Sequence, residues 1–134
     1  MRVEVISRIW LCDKKHSRCR VKYAVHVRKQ KEKKVQSYVK ETMIQEYVDF
    51  LRTMVQFMHH HVYTEMKPII LIDENIHEDH DAYAVALAYF VYYGNMSWTS
   101  SYKYILQKTM PFTLSKMQED AMKMFEKMYR GNNI

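Results

Sequence analysis

Glycine, proline and cysteine are nearly missing, with two of each in 134 residues. So little glycine excludes collagen-like and glycine-rich β architectures, and it leaves few positions for a glycine-built phosphate cradle. The two cysteines, Cys12 and Cys19, cannot make a disulfide framework, and without Cys-x-x-Cys spacing they do not suggest a cysteine zinc site. A reducing intracellular compartment, cytoplasmic or nuclear, is expected. No stretch approaches the roughly 18 consecutive apolar residues of a membrane span. The residues around Glu4 lack the apolar run of a secretory signal. What is present is globular material: 48% hydrophobic and 27% charged residues, enough for one core and one domain over residues 1–134. The eleven methionines fall mostly at helical core spacing, where their flexible side chains suit packing.

The net charge of +6 is unevenly placed. Between Lys14 and Lys40 eleven Lys or Arg stand against the single acid Glu32, while the rest of the chain carries ten basic and fourteen acidic groups. Arg18, Arg20, Lys22, Arg28, Lys29, Lys31, Lys33 and Lys34 form a basic segment on a mildly acidic body. Such a segment is either a solvated sheet edge, where lysines discourage aggregation, or a surface for acidic or phosphate-rich partners. No aromatic residue interrupts Arg28 to Lys34, which argues against a base-stacking platform, so a nucleic-acid partner is the less favoured alternative.

Hydrophobic periodicity changes along the chain. Val3 to Ile6, Ile9 to Leu11 and the alternation Val21, Tyr23, Val25, Val27 predict strands, with a further short strand at Val35 to Val39. Ile44, Tyr47, Val48, Leu51, Met54, Val55, Met58 and Val62 then recur at helical spacing, and Pro68 ends that helix. Ile69 to Ile72 suits a strand covered on both faces. The polar loop DENIHEDHD follows, and residues 82–93 are almost wholly apolar, predicting a buried helix closed by Gly94-Asn95. Asp81 is the expected N-cap of that helix, and Ser97 of the next. A last amphipathic helix is expected over 115–129. The pattern predicts a single α/β domain with a central mixed sheet flanked by helices.

A buried strand, a short loop and a helix N-terminus make the usual setting for an anion site. Here, however, the loop offers Asp73, Glu74, Glu78, Asp79 and Asp81, which repel phosphate. The order of elements nevertheless resembles the dual-specificity branch of the cysteine-dependent protein tyrosine phosphatases. In that family a strand leads into His-Cys-x-x-Gly-x-x-Arg-Ser/Thr, and a helix with Ala-Tyr-Leu follows. Ile69 to Ile72 is similar to the strand and Leu87-Ala88-Tyr89-Phe90 to the helix motif. Asn95-Met96-Ser97-Trp98 with Tyr102-Lys103-Tyr104-Ile105 is similar to the next helix, and Met110-Pro111 to the family's Arg-Pro turn. The resemblance covers nearly the whole chain and implies the dual-specificity phosphatase fold.

The signature itself is degenerate. Aligned from the strand, Asp73 and Glu74 take the His-Cys positions, His77 the glycine, and His80-Asp81 the Arg-Ser. Aligned from Ala88-Tyr89, Glu74 and Asn75 take His-Cys, and Asp81 takes the arginine. Neither register supplies a thiolate or a guanidinium, and no Asp stands near Glu41 to Met43, where the family's general acid belongs. Cysteinyl phosphoryl transfer cannot be written without them. The resemblance therefore implies a pseudophosphatase, not an enzyme, with no cofactor or metal, that binds proteins. Glu74, Glu78, Asp79 and Asp81 would be its acidic interaction surface. A basic partner segment, or the basic stretch of a second copy in a homodimer, would meet them. Two alternatives stand beside this reading. One is a metal-dependent phosphohydrolase using the His/Asp-rich loop 73–81, since His77-x-x-His80 with carboxylates suits Zn²⁺, Mn²⁺ or Fe²⁺. The other is a basic nucleic-acid-binding protein.

Overall fold

The computed structural model describes residues 2–13, 24–27, 40–73, 80–109 and 111–130. Strands β1 (Arg2–Ile6), β2 (Ile9–Asp13), β3 (Ala24–Val27) and β4 (Ile69–Asp73) form one sheet in the order β1-β2-β4-β3. Helices α1 (Lys40–His59), α2 (Asp81–Gly94), α3 (Trp98–Leu106) and α4 (Lys116–Tyr129) complete the domain. β1 and β2 are antiparallel, joined through Ser7 and Arg8, and Arg8 holds the left-handed conformation that so short a turn requires. β4 runs parallel to both β2 and β3, so the sheet is mixed, as the sequence pattern predicts.

The continuous apolar run of β4 has the cause inferred for it: the strand is central and all five of its residues are buried. Its side chains alternate between two clusters. Ile69 and Leu71 join Val5, Ile9 and Leu11 in the main core, while Ile70 and Ile72 join Cys12 and Trp10 on the opposite face. Among the described residues the helices gather over the first face. Tyr47, Val48, Leu51, Val55 and Met58 of α1, Ile105 of α3 and Ala121, Met122 and Phe125 of α4 all belong to the main core. α2 lies in the middle of this layer, with every residue from Asp81 to Tyr92 buried. A helix enclosed on all sides must be apolar all round, which explains why its sequence shows no polar face.

Helix ends follow capping chemistry. The Ser97 side chain accepts from the Ser100 N–H at the start of α3, as expected. Ser115 and Gln118 form a reciprocal capping box at the start of α4. α2 stops where Asn95 turns left-handed at φ 53°. α1 runs on past His59 as a π-helical segment, His60–Thr64, which ends before Pro68. One expectation is corrected: His80, not Asp81, is the N-cap residue of α2, and Asp81 is its first helical residue. The strand expected at Val35 to Val39, and the start of the one expected from Val21, lie outside the described residues.

Candidate functional site

β4 and α2 meet where the sequence places the degenerate loop. The register sets Asp73 beside Asp13 on β2 and Val27 on β3. The carboxyl ends of three parallel strands thus open on one edge, the position at which α/β sheets commonly hold ligands. By the alternation of β4, Asp73 lies on the helix side of the sheet. It is 4% exposed, and its Oδ2 stands 2.8 Å from His80 Nδ1. This contact to the carboxylate holds the imidazole in one orientation. The His80 ring, about a quarter exposed, meets Tyr83 edge-on at 5.4 Å and Phe112 at 6.3 Å. Phe112 in turn stacks on Tyr102, whose hydroxyl donates to the Phe112 carbonyl.

Asp81 turns the other way, into the core. It is 6% exposed; its Oδ1 accepts from the Tyr47 hydroxyl at 2.5 Å and from Gln118 Nε2 at 3.1 Å, and Gln118 Nε2 lies 2.8 Å from the Tyr47 oxygen. Both partners are themselves buried. The first turn of α2 places this carboxylate at the positive end of the helix macrodipole, which favours it there. Three helices are tied through one oxygen: α1 by Tyr47, α2 by Asp81 and α4 by Gln118. Asp81 is therefore withdrawn from the acidic interaction surface expected of it, because its lone pairs are spent on an interior network.

Of the degenerate loop residues, Asp73, His80 and Asp81 are described, and the structure brings Asp73 and His80 together while aiming Asp81 away. Glu74, Asn75, His77, Glu78 and Asp79 lie outside the described residues, as do Arg18, Arg20, Lys22, Arg28, Lys29, Lys31, Lys33 and Lys34. Among the described residues no three His, Cys, Asp or Glu side chains converge as a metal-ligand set. None of the described helices is long and apolar enough to cross a membrane. Sequence reasoning missed Tyr47 and Gln118. Tyr47 reads as one more apolar position of α1. Gln118 carried a legible signal as the fourth residue of Ser115-Lys116-Met117-Gln118, a capping box, but nothing in that motif announces that its amide also reaches the core.

A second polar cluster joins the C-terminal ends of α1 and α2. His59 stacks on Tyr93 with ring centroids 3.8 Å apart and 7° between planes, and its Nδ1 lies 3.0 Å from the Tyr89 hydroxyl. Burial holds the His59 pKa below the ordinary histidine value and pushes the phenols of Tyr89 and Tyr93 up, with Tyr63 adding to the rise at Tyr89. His59 thus packs as an aromatic ring between the ends of α1 and α2.

No protein-family model matches the chain, and no curated protein matches it either.

Proposed function

We propose that this chain is a dual-specificity-phosphatase-like domain without phosphatase activity, working as a protein-interaction module. The observation that carries the reading is the chemistry at the start of α2. Where an oxyanion pocket would need a cation and open backbone N–H groups, the chain sets two buried carboxylates, Asp73 and Asp81, each already hydrogen-bonded within the protein. The order of the described elements supports the resemblance: three opening strands, a long helix, a central strand, a buried helix, a short helix and a final amphipathic helix. β4 ends at Asp73 and α2 begins at Asp81, which supports the register in which Asp73 and Glu74 take the His-Cys positions and His80-Asp81 the Arg-Ser. In that register the ends of the signature loop, Asp73 and His80, bond to each other instead of to a substrate.

Tungstate, vanadate and a phosphotyrosine peptide are expected to give no thermal stabilisation, because the fixed charge beside the loop has the wrong sign. Protection by any of them at micromolar concentration would overturn the reading. The acidic surface is then reduced to Glu74, Glu78 and Asp79, facing a basic partner segment or the 14–40 stretch of a second copy. Sedimentation at low and high salt, with wild type and a Glu78→Lys, Asp79→Lys variant, tests self-association. Dimer in wild type at low salt and monomer in the variant is expected, whereas monomer in every condition would remove the homodimer.

One observation favours a metal-dependent hydrolase as the second reading. A carboxylate holding Nδ1 of a partly exposed histidine is the outer half of a carboxylate–histidine–metal arrangement. The closing assay of the Discussion separates it from the first.

A further inference from the structure

An open groove of ≈ 330 Å³ lies between α3 and the start of α4, apart from the strand–loop–helix site. Its walls are Trp98, Tyr102 and Lys103 of α3, Thr113 and Leu114 of the connection, and Glu119 of α4. Trp98 and Tyr102 meet edge to face at 6.2 Å and Leu114 is partly exposed, so the floor is apolar and in reach of solvent. The two rim charges differ. Glu119 Oε1 lies 3.9 Å from Lys123 Nζ, whereas exposed Lys103 has no ion pair among the described residues. Residues 98–130 as a whole carry six Lys or Arg against three carboxylates. An apolar slot with one uncompensated ammonium at its rim complements an anchor side chain flanked by acid.

We propose that this groove docks an acidic protein segment through a single aliphatic anchor: the anchor packs on Trp98, Tyr102 and Leu114, and a neighbouring carboxylate pairs with Lys103. The proposal rests on the reading of the chain as an interaction module and names a second surface of that module, opposite in charge to its acidic loop. A nucleic-acid strand fits less well. The Tyr102 ring is already stacked on Phe112 at 5.0 Å, and the groove walls offer one unpaired cation, not a track of them.

Trp98 reports on its own groove. The chain has two tryptophans, so a Trp10→Phe protein carries one indole, at the proposed contact. Titrations use blocked pentapeptides Glu-Glu-Leu-Glu-Glu, Lys-Lys-Leu-Lys-Lys and Glu-Glu-Ser-Glu-Glu, and calorimetry on the unmodified chain repeats them without the Trp10 change. The acidic leucine peptide is expected to bind saturably and at least tenfold tighter than either other peptide. Lys103→Glu, a change on an exposed side chain, is expected to reverse the preference between acidic and basic peptides. Equal affinity for all three, no binding by any, an unchanged preference in Lys103→Glu, or tighter binding of a single-stranded oligonucleotide would overturn the proposal. A Trp98 signal that depends on protein concentration without peptide would assign the groove to a second copy and overturn it too. Because no arm involves the 73–81 loop, failure here leaves the oxyanion and sedimentation tests of the main reading unaffected.

Discussion

His59 shows how one side chain can change its meaning between sequence and structure. In the run His59-His60-His61 it reads as a candidate metal ligand or a cation at a helix end. In the fold it lies flat on Tyr93 with Nδ1 3.0 Å from the Tyr89 hydroxyl, and burial holds its pKa down. The sign of the consequence is fixed. A histidine with a depressed folded pKa is protonated in the unfolded chain before it is protonated in the folded one. Its stabilising share is complete above the unfolded value of about 6.5 and is lost as pH falls below that toward the folded pKa. Thermal melts from pH 7.5 down to 5.5 should therefore show a smaller loss of Tm in His59→Gln than in wild type. An identical pH slope in both proteins would mean that the packing of His59 does not lower its pKa. Neither the stacking nor the bond to Tyr89 was legible in the sequence, because both depend on α1 and α2 ending side by side.

At the scale of elements, much of the fold was open to reading. The β-rich segments near the N-terminus, the 3.6-residue stripe of α1, the buried run Ile69 to Ile72 of β4 and the nearly all-apolar stretch 82–93 of α2 each follow from hydrophobic pattern alone, and the structure has each of them. What failed is instructive. Asp81 reads as a helix cap because aspartate before an apolar run usually is one; it became the first helical residue and an interior acceptor because Tyr47 and Gln118, 34 and 37 residues away in sequence, converge on it. Local propensity carries no information on such partners. Tyr47→Phe keeps the ring and removes a bond to a carboxylate, and should cost about 1.5–3 kcal/mol in urea unfolding. Gln118→Ala should cost at least as much, since it also opens the capping box, worth about 1 kcal/mol by itself. The two substitutions share one acceptor, so their effects should not add. Simple additivity would show that the three helices are not joined through Asp81.

At the scale of the whole molecule, a mixed sheet whose central strand feeds a buried helix has the architecture of an anion-binding site, and the residues at that junction reverse its chemistry. Asp73 and Asp81 stand beside the loop, the former spent on His80 and the latter on the core. That residues 73–81 hold no Cys or Arg is legible in the sequence at once. The sequence could not show that Asp73 and His80 would pair, because they stand seven positions apart and only the positions of β4 and α2 bring them together. The most direct measurement of the central claim is p-nitrophenyl phosphate turnover by the purified chain, alone, with chelator, and with Zn²⁺, Mn²⁺ or Fe²⁺. Turnover at background in every condition is the result that the proposed reading predicts. Turnover that requires a metal ion, disappears with chelator and is abolished by His80→Ala would contradict it and establish the metal-dependent hydrolase in its place.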